Sequence, residues 1–338
     1  MKALVKTKTV NEFKIEERPL TTLEVDEVLI KVEFCGVCGS DLHAASHSKG
    51  YEFVPKPIIL GHELSGSVVE LHPESNNKDL LGSRVVVEPG VYCNKCEQCL
   101  NGRRNICSNI KCLGLHFDGG MAEYVKVKTD RIHKISPTLT SEIAALSEPL
   151  AVAIHAVQKV ANVTKKQNVL VQGCGIIGFF VALAAKKRGA NVTISGLKKD
   201  WEYRLSHADR FGIETEIAED TSNKKKDFDI IFECSGSSLA AETGVFRLKK
   251  GGTYVLVALY EQEVKFPVNI LVRGKMKILT SYGSDSHDFK EAFHLLSEYQ
   301  EQLKTIISIY PLEDGALAFS DAKQQKALKP IIKIPSNV

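Results

Sequence analysis

The alternation of apolar and polar positions divides the chain into three stretches. Residues 1 to about 34 alternate in short bursts, Ala3-Leu4-Val5 and then Val28-Leu29-Ile30-Lys31-Val32. A period of two predicts strands there, separated by turn residues such as Pro19. Similar bursts recur at 67–71, 84–87 and 123–127. The first 130 residues therefore read as mainly β with Gly and Pro punctuation, a small irregular barrel. No internal repeat or low-complexity segment interrupts them.

Near residue 140 the period changes. Ser141-Glu142-Ile143-Ala144-Ala145-Leu146 has the composition of a capped helix start. The stretch from Glu148-Pro149-Leu150 to 157 predicts a largely buried helix entered by a proline. From residue 168 the pattern is βαβ. Asn168-Val169-Leu170-Val171-Gln172 is a buried strand, 173–178 a glycine-rich turn, 179–188 an apolar helix ended by Gly189, and 191–195 the next strand. Further strands are expected at 227–234, 253–258 and 277–281, and a helix at 289–303. A last strand at 327–334 is expected to return to the N-terminal β domain, which makes the βαβ region an insertion.

Length and charge narrow the class. The 338 residues suit about two domains with buried cores. The formal net charge is +3, with acids and bases spread along the chain, so neither nucleic acid nor an anionic membrane is an expected partner. The densest basic run, Lys224-Lys225-Lys226 beside Asp227 and Asp229, is expected to be a solvated loop. No apolar run reads as long enough to span a bilayer, and Met1-Lys2-Ala3-Leu4-Val5 leads into strand-like sequence without a signal-peptide core. A cytoplasmic location is the expectation. Nine cysteines in a reducing compartment read as metal ligands or buried thiols, and an odd count fits full pairing poorly.

The chemistry concentrates between residues 35 and 63. Cys38, His62 and Glu63 offer sulfur, nitrogen and oxygen, the donor mix of a catalytic zinc that keeps one position open. Ser40 and His43 stand near enough in sequence to carry a proton away from it. A second cluster, Cys93, Cys96, Cys99 and Cys107, lies in a segment poor in apolar residues. Four thiolates can wrap one tetrahedral ion, leave no open position and supply the stability that packing does not, so this zinc is expected to be structural. Cys112 falls outside the pattern and reads as a buried thiol. Glu148, taken alone, reads as a solvated helix-start carboxylate.

The turn Gly173-Cys174-Gly175-Ile176-Ile177-Gly178 sits between a strand and a helix, as a dinucleotide-binding turn requires. Its glycines let the backbone approach a pyrophosphate, and the helix N-terminus offers free N–H groups at Ile176, Ile177 and Gly178. At the end of the second strand, where NAD-specific sites place an acid, the chain has Ser195-Gly196-Leu197-Lys198-Lys199. A small residue and two cations, with Arg204 nearby, favour NADP. The alternative is that the lysines are surface charges and Asp200 holds the ribose of NAD.

With these residues in place, the chain resembles the zinc-dependent medium-chain dehydrogenase/reductase family over essentially its full length, most of all its polyol (sorbitol-type) branch. The resemblance rests on Gly36-Val37-Cys38-Gly39-Ser40-Asp41-Leu42-His43, Gly61-His62-Glu63, the four-cysteine lobe, Asp118-Gly119-Gly120-Met121-Ala122-Glu123-Tyr124, Glu148-Pro149-Leu150 and the glycine turn. It implies an α/β protein: a GroES-like β-barrel catalytic domain over 1–152 and 285–338, with the zinc lobe at about 90–110, and a Rossmann domain with a doubly wound parallel sheet over 153–284. It places the active site in the cleft between them. Cys38 and His62 match the catalytic zinc ligands. Glu63 matches the acid that binds the metal or steps back from it. Glu148 matches the polyol-branch glutamate that ligates zinc or holds a zinc-bound water, which replaces its reading as a solvated carboxylate. Asp41 matches the carboxylate that orients His62, Ser40 the hydroxyl beside the substrate oxygen, and His43 the base at the solvent end of the relay. His47, His72, His116 and His155 are expected to be structural or surface residues rather than ligands; of these only His116, just before Phe117-Asp118-Gly119-Gly120, stands where it could approach the substrate cleft.

The implied reaction is reversible oxidation of a secondary hydroxyl on a polyol or sugar derivative, with two zinc ions per chain and NAD(P), NADP favoured, in a homodimer or homotetramer. A threonine or simple alcohol dehydrogenase is the alternative within the family. A non-catalytic, zinc-stabilised dinucleotide sensor is the alternative outside it, and the set Cys38, Ser40, His43, His62 and Glu63 argues against that.

Overall fold

The alternating bursts fold as strands β1 (Lys2–Lys6), β2 (Phe13–Glu17), β3 (Glu27–Gly36), β4 (Ile58–Ile59), β5 (Glu63–Leu71), β6 (Arg84–Val87), β7 (Gly90–Val91), β8 (Lys111–Cys112), β9 (Tyr124–Lys128) and β10 (Ile132–Lys134). The βαβ region supplies β11 (Asn168–Gln172), β12 (Asn191–Gly196), β13 (Glu214–Ile217), β14 (Phe228–Glu233), β15 (Leu248–Leu256) and β16 (Lys277–Thr280). The chain closes with β17 (Ile307–Pro311) and β18 (Lys329–Lys333). This is a computed structural model, and it describes residues 1–221 and 228–335. The basic run at 224–226 and Asp227 lie outside the described residues. The chain divides into one unit of Met1–Glu148 with Asp285–Val338 and another of Pro149–Ser284.

In the first unit β3 is the hub. Residues 27–31 pair with β9, 34–36 pair with β18, and β5 runs along the other edge. Irregular register at Leu29/Ile30 and Val32/Phe34 lets one strand serve three partners. The inward side chains Val28, Ile30 and Val32 join Leu4, Ile59, Leu64, Val85, Met121 and Ile332 in one core. The last strand therefore does return to the N-terminal β unit, with Ile331 opposite Gly36 and Ile332 opposite Cys35.

The second unit is a parallel sheet in the order β13-β12-β11-β14-β15-β16. Val169, Leu170 and Val171 are all fully buried, as a strand covered on both faces requires. The order reverses between β11 and β14. Helix Ile176–Lys187 follows β11 and buries residues 178–185.

Three local expectations are corrected. The helix expected at 289–303 starts at Ser286, because the Asp285 carboxylate accepts the His287 N–H at 2.9 Å, and it breaks at Tyr299 before a short helix Gln300–Leu303. Strand β15 starts at Leu248, before the glycine pair at 251–252, because a register shift absorbs Gly251 at φ +77°. The apolar stretch Ser141–Val160 is helical, and long and apolar enough to cross a membrane by composition, contrary to the sequence reading; 67% of its most apolar window is buried within the fold, as in a core helix.

A buried charge network fixes helix Ser286–Glu298 to the barrel. Glu88, 3% exposed, accepts Arg131 Nη1 and the Tyr92 hydroxyl at 2.9 Å on one oxygen. The other oxygen takes the Ser286 hydroxyl at 2.7 Å and faces His133 Nε2 at 3.2 Å. Burial pushes this carboxyl up, but the bonds from His133 and Ser286 and the Arg131 charge outweigh it and hold it below the ordinary range. Asp130 also accepts Arg131 Nε and Nη2 at 3.1 and 3.0 Å, so losing Glu88 removes the buried partner and leaves the exposed one. Glu88→Gln should therefore cost about 2 kcal/mol in urea unfolding; a loss below about 1 kcal/mol would show that Asp130 alone suffices for Arg131.

Candidate active site

The site is assembled on one buried carboxylate. Asp41 sits in the first turn of helix Gly39–Ala45 and is fully buried. One of its oxygens accepts the Cys38 N–H at 3.0 Å and the other the Gly61 N–H at 3.2 Å. The second oxygen also lies 3.6 Å from His62 Nδ1. Asp41 thus fastens the loop carrying Cys38 to the loop carrying His62. The segment 112–120 backs the second loop. Gly120 donates to the Gly61 carbonyl at 2.9 Å, and a side chain at Gly114 would stand 2.6 Å from that carbonyl.

The Cys38, His62 and Glu63 donor atoms all lie within 4.8 Å of one another. His62 is 4% exposed and Glu63 fully buried. Two buried atoms among them, His62 Nδ1 and Glu63 Oε1, have no hydrogen-bond partner. A thiol, an imidazole and an unpaired carboxylate oxygen converging in a dry site fit a zinc ion. Ser40 Oγ lies 3.3 Å from His62 Nε2. Glu63 Oε2 is not free. It is ion-paired with Lys329, which is fully buried and also donates to the Val37 carbonyl at 3.0 Å. A side chain at Gly36 would occupy this space, 2.9 Å from Lys329 Cε.

Glu148 lies outside that three-residue group but within its field. Burial, then the Glu63 and Asp41 charges, push its carboxyl up to about 7 against the pull of His62 and Lys329. Cys112 is pushed up to about 11 by burial, with Glu148, Asp41 and Cys38 adding to it and His62 opposing, so this thiol sits in the same field. His43 faces Ser48 Oγ at 3.3 Å and stacks on Tyr51 at 5.4 Å. The stacking continues through Phe53 to His116 at 5.9 and 4.6 Å.

The four lobe cysteines converge as well. Sulfur separations are 3.5 Å for Cys93–Cys107, 3.9 Å for Cys96–Cys107 and 4.0 Å for Cys93–Cys99. A tetrahedron of ~2.3 Å zinc–sulfur bonds sets its corners ~3.8 Å apart, so this spacing fits the ion. Backbone N–H groups of Cys99 and Ser108 pull the Cys96 thiol down to about 6, toward the thiolate that a metal needs.

In the second unit Gly173 takes φ +98°, and a side chain there would stand 2.7 Å from Ser235. Nothing lies within 4 Å of where a Gly175 side chain would be, so the backbone entering helix Ile176–Lys187 is open to a phosphate. This cradle fits a dinucleotide. At the end of β12, Ser195 is 6% exposed and Lys198 and Lys199 are exposed. Asp200 caps the turn by accepting the Leu197 N–H at 2.9 Å. A side chain at Gly196 would meet Cys174 Sγ at 2.6 Å. Burial lowers the Arg204 pKa, while Cys174 and Asp200 oppose that shift.

Known proteins match the same two halves. Residues 24–137 match the alcohol dehydrogenase GroES-like domain and 177–298 the zinc-binding dehydrogenase domain. A sorbitol dehydrogenase of Halalkalibacterium halodurans is 35% identical over 98% of this chain and 99% of its own. D-xylulose reductase A of Aspergillus oryzae is 31% identical over 96% and 94%. The crystal structure of 2R,3R-butanediol dehydrogenase from Bacillus subtilis superposes with a TM-score of 0.88 at 26% identity, covering 99% of both chains. The chain belongs to the zinc-dependent medium-chain dehydrogenase/reductase family. It is an NAD(P)-dependent alcohol dehydrogenase in the broad sense, with a GroES-like β unit and a Rossmann unit.

Two residues of this dehydrogenase escaped the sequence reading. Lys329 is one; a lone lysine between Leu328 and Pro330-Ile331-Ile332 was the available signal. Glu219 is the other. Both its oxygens lie 3.2 Å from the Lys198 backbone nitrogen, so an acid does stand beside the β12 turn, contributed by the segment after β13.

The raised Glu148 carboxyl has a measurable sign. An unfolded glutamate loses its proton near 4.5, whereas Glu148 in the metal-free fold keeps it to about 7. Between those values the folded state binds more protons, so this group's contribution to stability falls as pH rises through the window. The urea midpoint of metal-free wild type should therefore drop relative to Glu148→Gln between pH 5 and 7.5. A constant difference would show that Glu148 titrates normally.

Proposed function

We propose that this dehydrogenase reversibly oxidises a secondary hydroxyl of a polyol or sugar-derived alcohol, with NADP preferred over NAD. The observation that carries the reading is the Cys38–His62–Glu63 cluster, which gathers sulfur, nitrogen and oxygen donors within 4.8 Å of one another and leaves Glu63 Oε1 buried without a hydrogen-bond partner. Relatives named for sorbitol and D-xylulose support the substrate class, as does Glu148 at the position characteristic of the polyol branch.

In this reading Cys38, His62 and Glu63 hold a catalytic zinc, with Glu148 as a further ligand or as the holder of a bound water. Cys93, Cys96, Cys99 and Cys107 hold a structural one. When bound, the metal supplies a Lewis acid and the nicotinamide supplies the hydride acceptor. The rest is work for the chain's own side chains. Ser40, in contact with His62, receives the hydroxyl proton, and His43 on the next turn of the same helix passes it to solvent. Asp41 keeps the His62 ring oriented. Lys329 offsets one carboxylate in a site that otherwise gathers Cys38, Asp41, Glu63 and Glu148.

The dinucleotide would lie over Gly173, Gly175, Ile176, Ile177 and Gly178. Ser195 and Gly196 put no acid at the end of β12, and Lys198, Lys199 and Arg204 supply charge for a 2′-phosphate; Glu219 is the counterweight that keeps NAD in contention. Nine cysteines, none of them disulfide-paired, suit a cytoplasmic setting. The sheet edge β16, beside exposed Val268 and Val272, suits a homodimer or homotetramer.

A panel of polyols, sugar acids and simple alcohols, assayed with both cofactors on zinc-loaded protein, tests the function. Turnover on vicinal diols or sugar alcohols is expected, with the higher kcat/KM for NADP. Turnover confined to threonine or simple alcohols would move the chain to the other reading within the family. Cys38→Ser should lose one zinc and all turnover while remaining folded, whereas Cys96→Ser should lower the melting temperature first. Full activity in Cys38→Ser would remove the catalytic assignment.

A further inference from the structure

The Rossmann unit contains a buried carboxylate that no cation balances among its described hydrogen bonds. Glu233, the last residue of β14, is fully buried. One oxygen accepts the Ser235 N–H at 2.8 Å and the Ser235 hydroxyl. The other accepts the Gly236 N–H at 3.3 Å and the Tyr260 hydroxyl. Burial, followed by this bond to Glu233, raises the Tyr260 pKa, so the phenol stays a donor throughout the working pH range. A desolvated anion surrounded by neutral donors is costly unless every donor is held in place.

Its location gives this arrangement a purpose. Glu233 stands opposite Gln172 of β11 on one side and Leu256 of β15 on the other. That is the carboxyl end of the strands, at the point where the sheet order reverses. In open parallel sheets this crevice is where a dinucleotide lies, one mononucleotide half on each side. Three chain segments meet there. The Gly173 turn abuts Ser235, and the Gly236 turn abuts the Leu259 carbonyl, 2.9 Å from where a Gly236 side chain would be. Residues 257–267 connect β15 to helix Val268–Gly274. Two N–H groups at the start of this connection, Val257 and Ala258, bond the Glu233 carbonyl at 2.9 and 3.1 Å. At its far end the Lys265 N–H bonds Glu242 at 2.9 Å. Between those anchors, Tyr260 carries the side-chain bond to Glu233.

We propose that Tyr260 is a positioning residue for the nicotinamide half of the cofactor pocket, pinning the 257–267 connection onto Glu233 at the sheet's switch point. The sheet topology decides which half. The glycine turn and the end of β12 belong to the β11–β12–β13 half, where the adenosine determinants Ser195 to Lys199 lie. Tyr260 and Glu233 belong to the β14–β15–β16 half. The inference rests on the dinucleotide reading of this unit and is independent of the zinc sites and of the choice between NAD and NADP.

The experiment compares whole cofactor with half of it by calorimetry on the full-length protein. The titrants are NADH, NADPH, ADP-ribose and 2′-phospho-ADP-ribose, and the proteins are wild type and Tyr260→Phe. The variant is expected to lose about tenfold in affinity for the preferred reduced dinucleotide, the scale of one hydrogen bond to a buried charge. Its affinity for the matching ADP-ribose form should stay within about twofold. Equal losses for the dinucleotide and the fragment would mean general loosening of the fold and would overturn the proposal. Unchanged dinucleotide affinity would overturn it too. Failure of wild type to bind either dinucleotide would remove the cofactor reading itself, a result distinct from both.

Discussion

The catalytic unit depends on Asp41. Its carboxylate is completely buried and spends its two oxygens on backbone N–H groups from two separate loops, those of Cys38 and Gly61. The pairing of β3 with β5 ends at Gly36 opposite Glu63, so Cys38 and the Gly61-His62 turn lie just beyond the ladder that aligns them. The carboxylate extends that alignment past the end of the ladder, and a metal site tolerates little error in its donors. Burying that charge costs several kcal/mol. The fold offsets part of this cost with the two N–H donors and the nearby His62 ring.

Charge accumulates around this point, and the discontinuous chain answers it. Cys38, Asp41, Glu63 and Glu148 share one region, and only His62 opposes them from the same part of the sequence. Lys329 arrives 266 residues later on β18, the strand that pairs with the end of β3. Gly36, opposite Ile331, leaves the space into which the Glu63–Lys329 pair fits. The return of the C-terminus to the first unit is therefore part of the site and not only a way of closing the sheet. The second unit repeats the device with neutral partners, since Glu233 gathers its donors from the turn that follows it and from Tyr260.

What the sequence made legible was local. Cys93, Cys96 and Cys99 stand three apart, and Cys107 follows within the same lobe, so their spacing announces a cluster of thiols before any fold is known. The glycine turn was readable because strand, turn and helix follow one another directly. The start of helix Ser286–Glu298 was readable in principle, because Asp285 and Asp288 stand three apart, as in a capping pair. What stayed hidden was contact across register. Lys329 meets Glu63 only once β18 pairs with β3, and Glu219 reaches the β12 turn only once β13 lies beside β12. Tyr260 has no motif around it; its role comes from a carboxylate on the neighbouring strand. The apolar stretch Ser141–Val160 shows the converse limit, since its composition alone cannot distinguish a core helix from a membrane span.

The first unit carries two donor clusters of different chemistry, Cys93, Cys96, Cys99 and Cys107 in one and Cys38, His62 and Glu63 in the other. Anomalous diffraction at the zinc edge, from crystals of the zinc-loaded protein, reads whether each holds an ion. Two peaks per chain are expected. One should lie about 2.3 Å from each of the Cys93, Cys96, Cys99 and Cys107 sulfurs. The other should lie within bonding distance of Cys38 and His62, with a carboxylate oxygen from Glu63 or Glu148 completing the protein's share. A fully occupied first peak with no density between Cys38 and His62, in protein that turns over alcohol, would contradict the assignment of a catalytic zinc there.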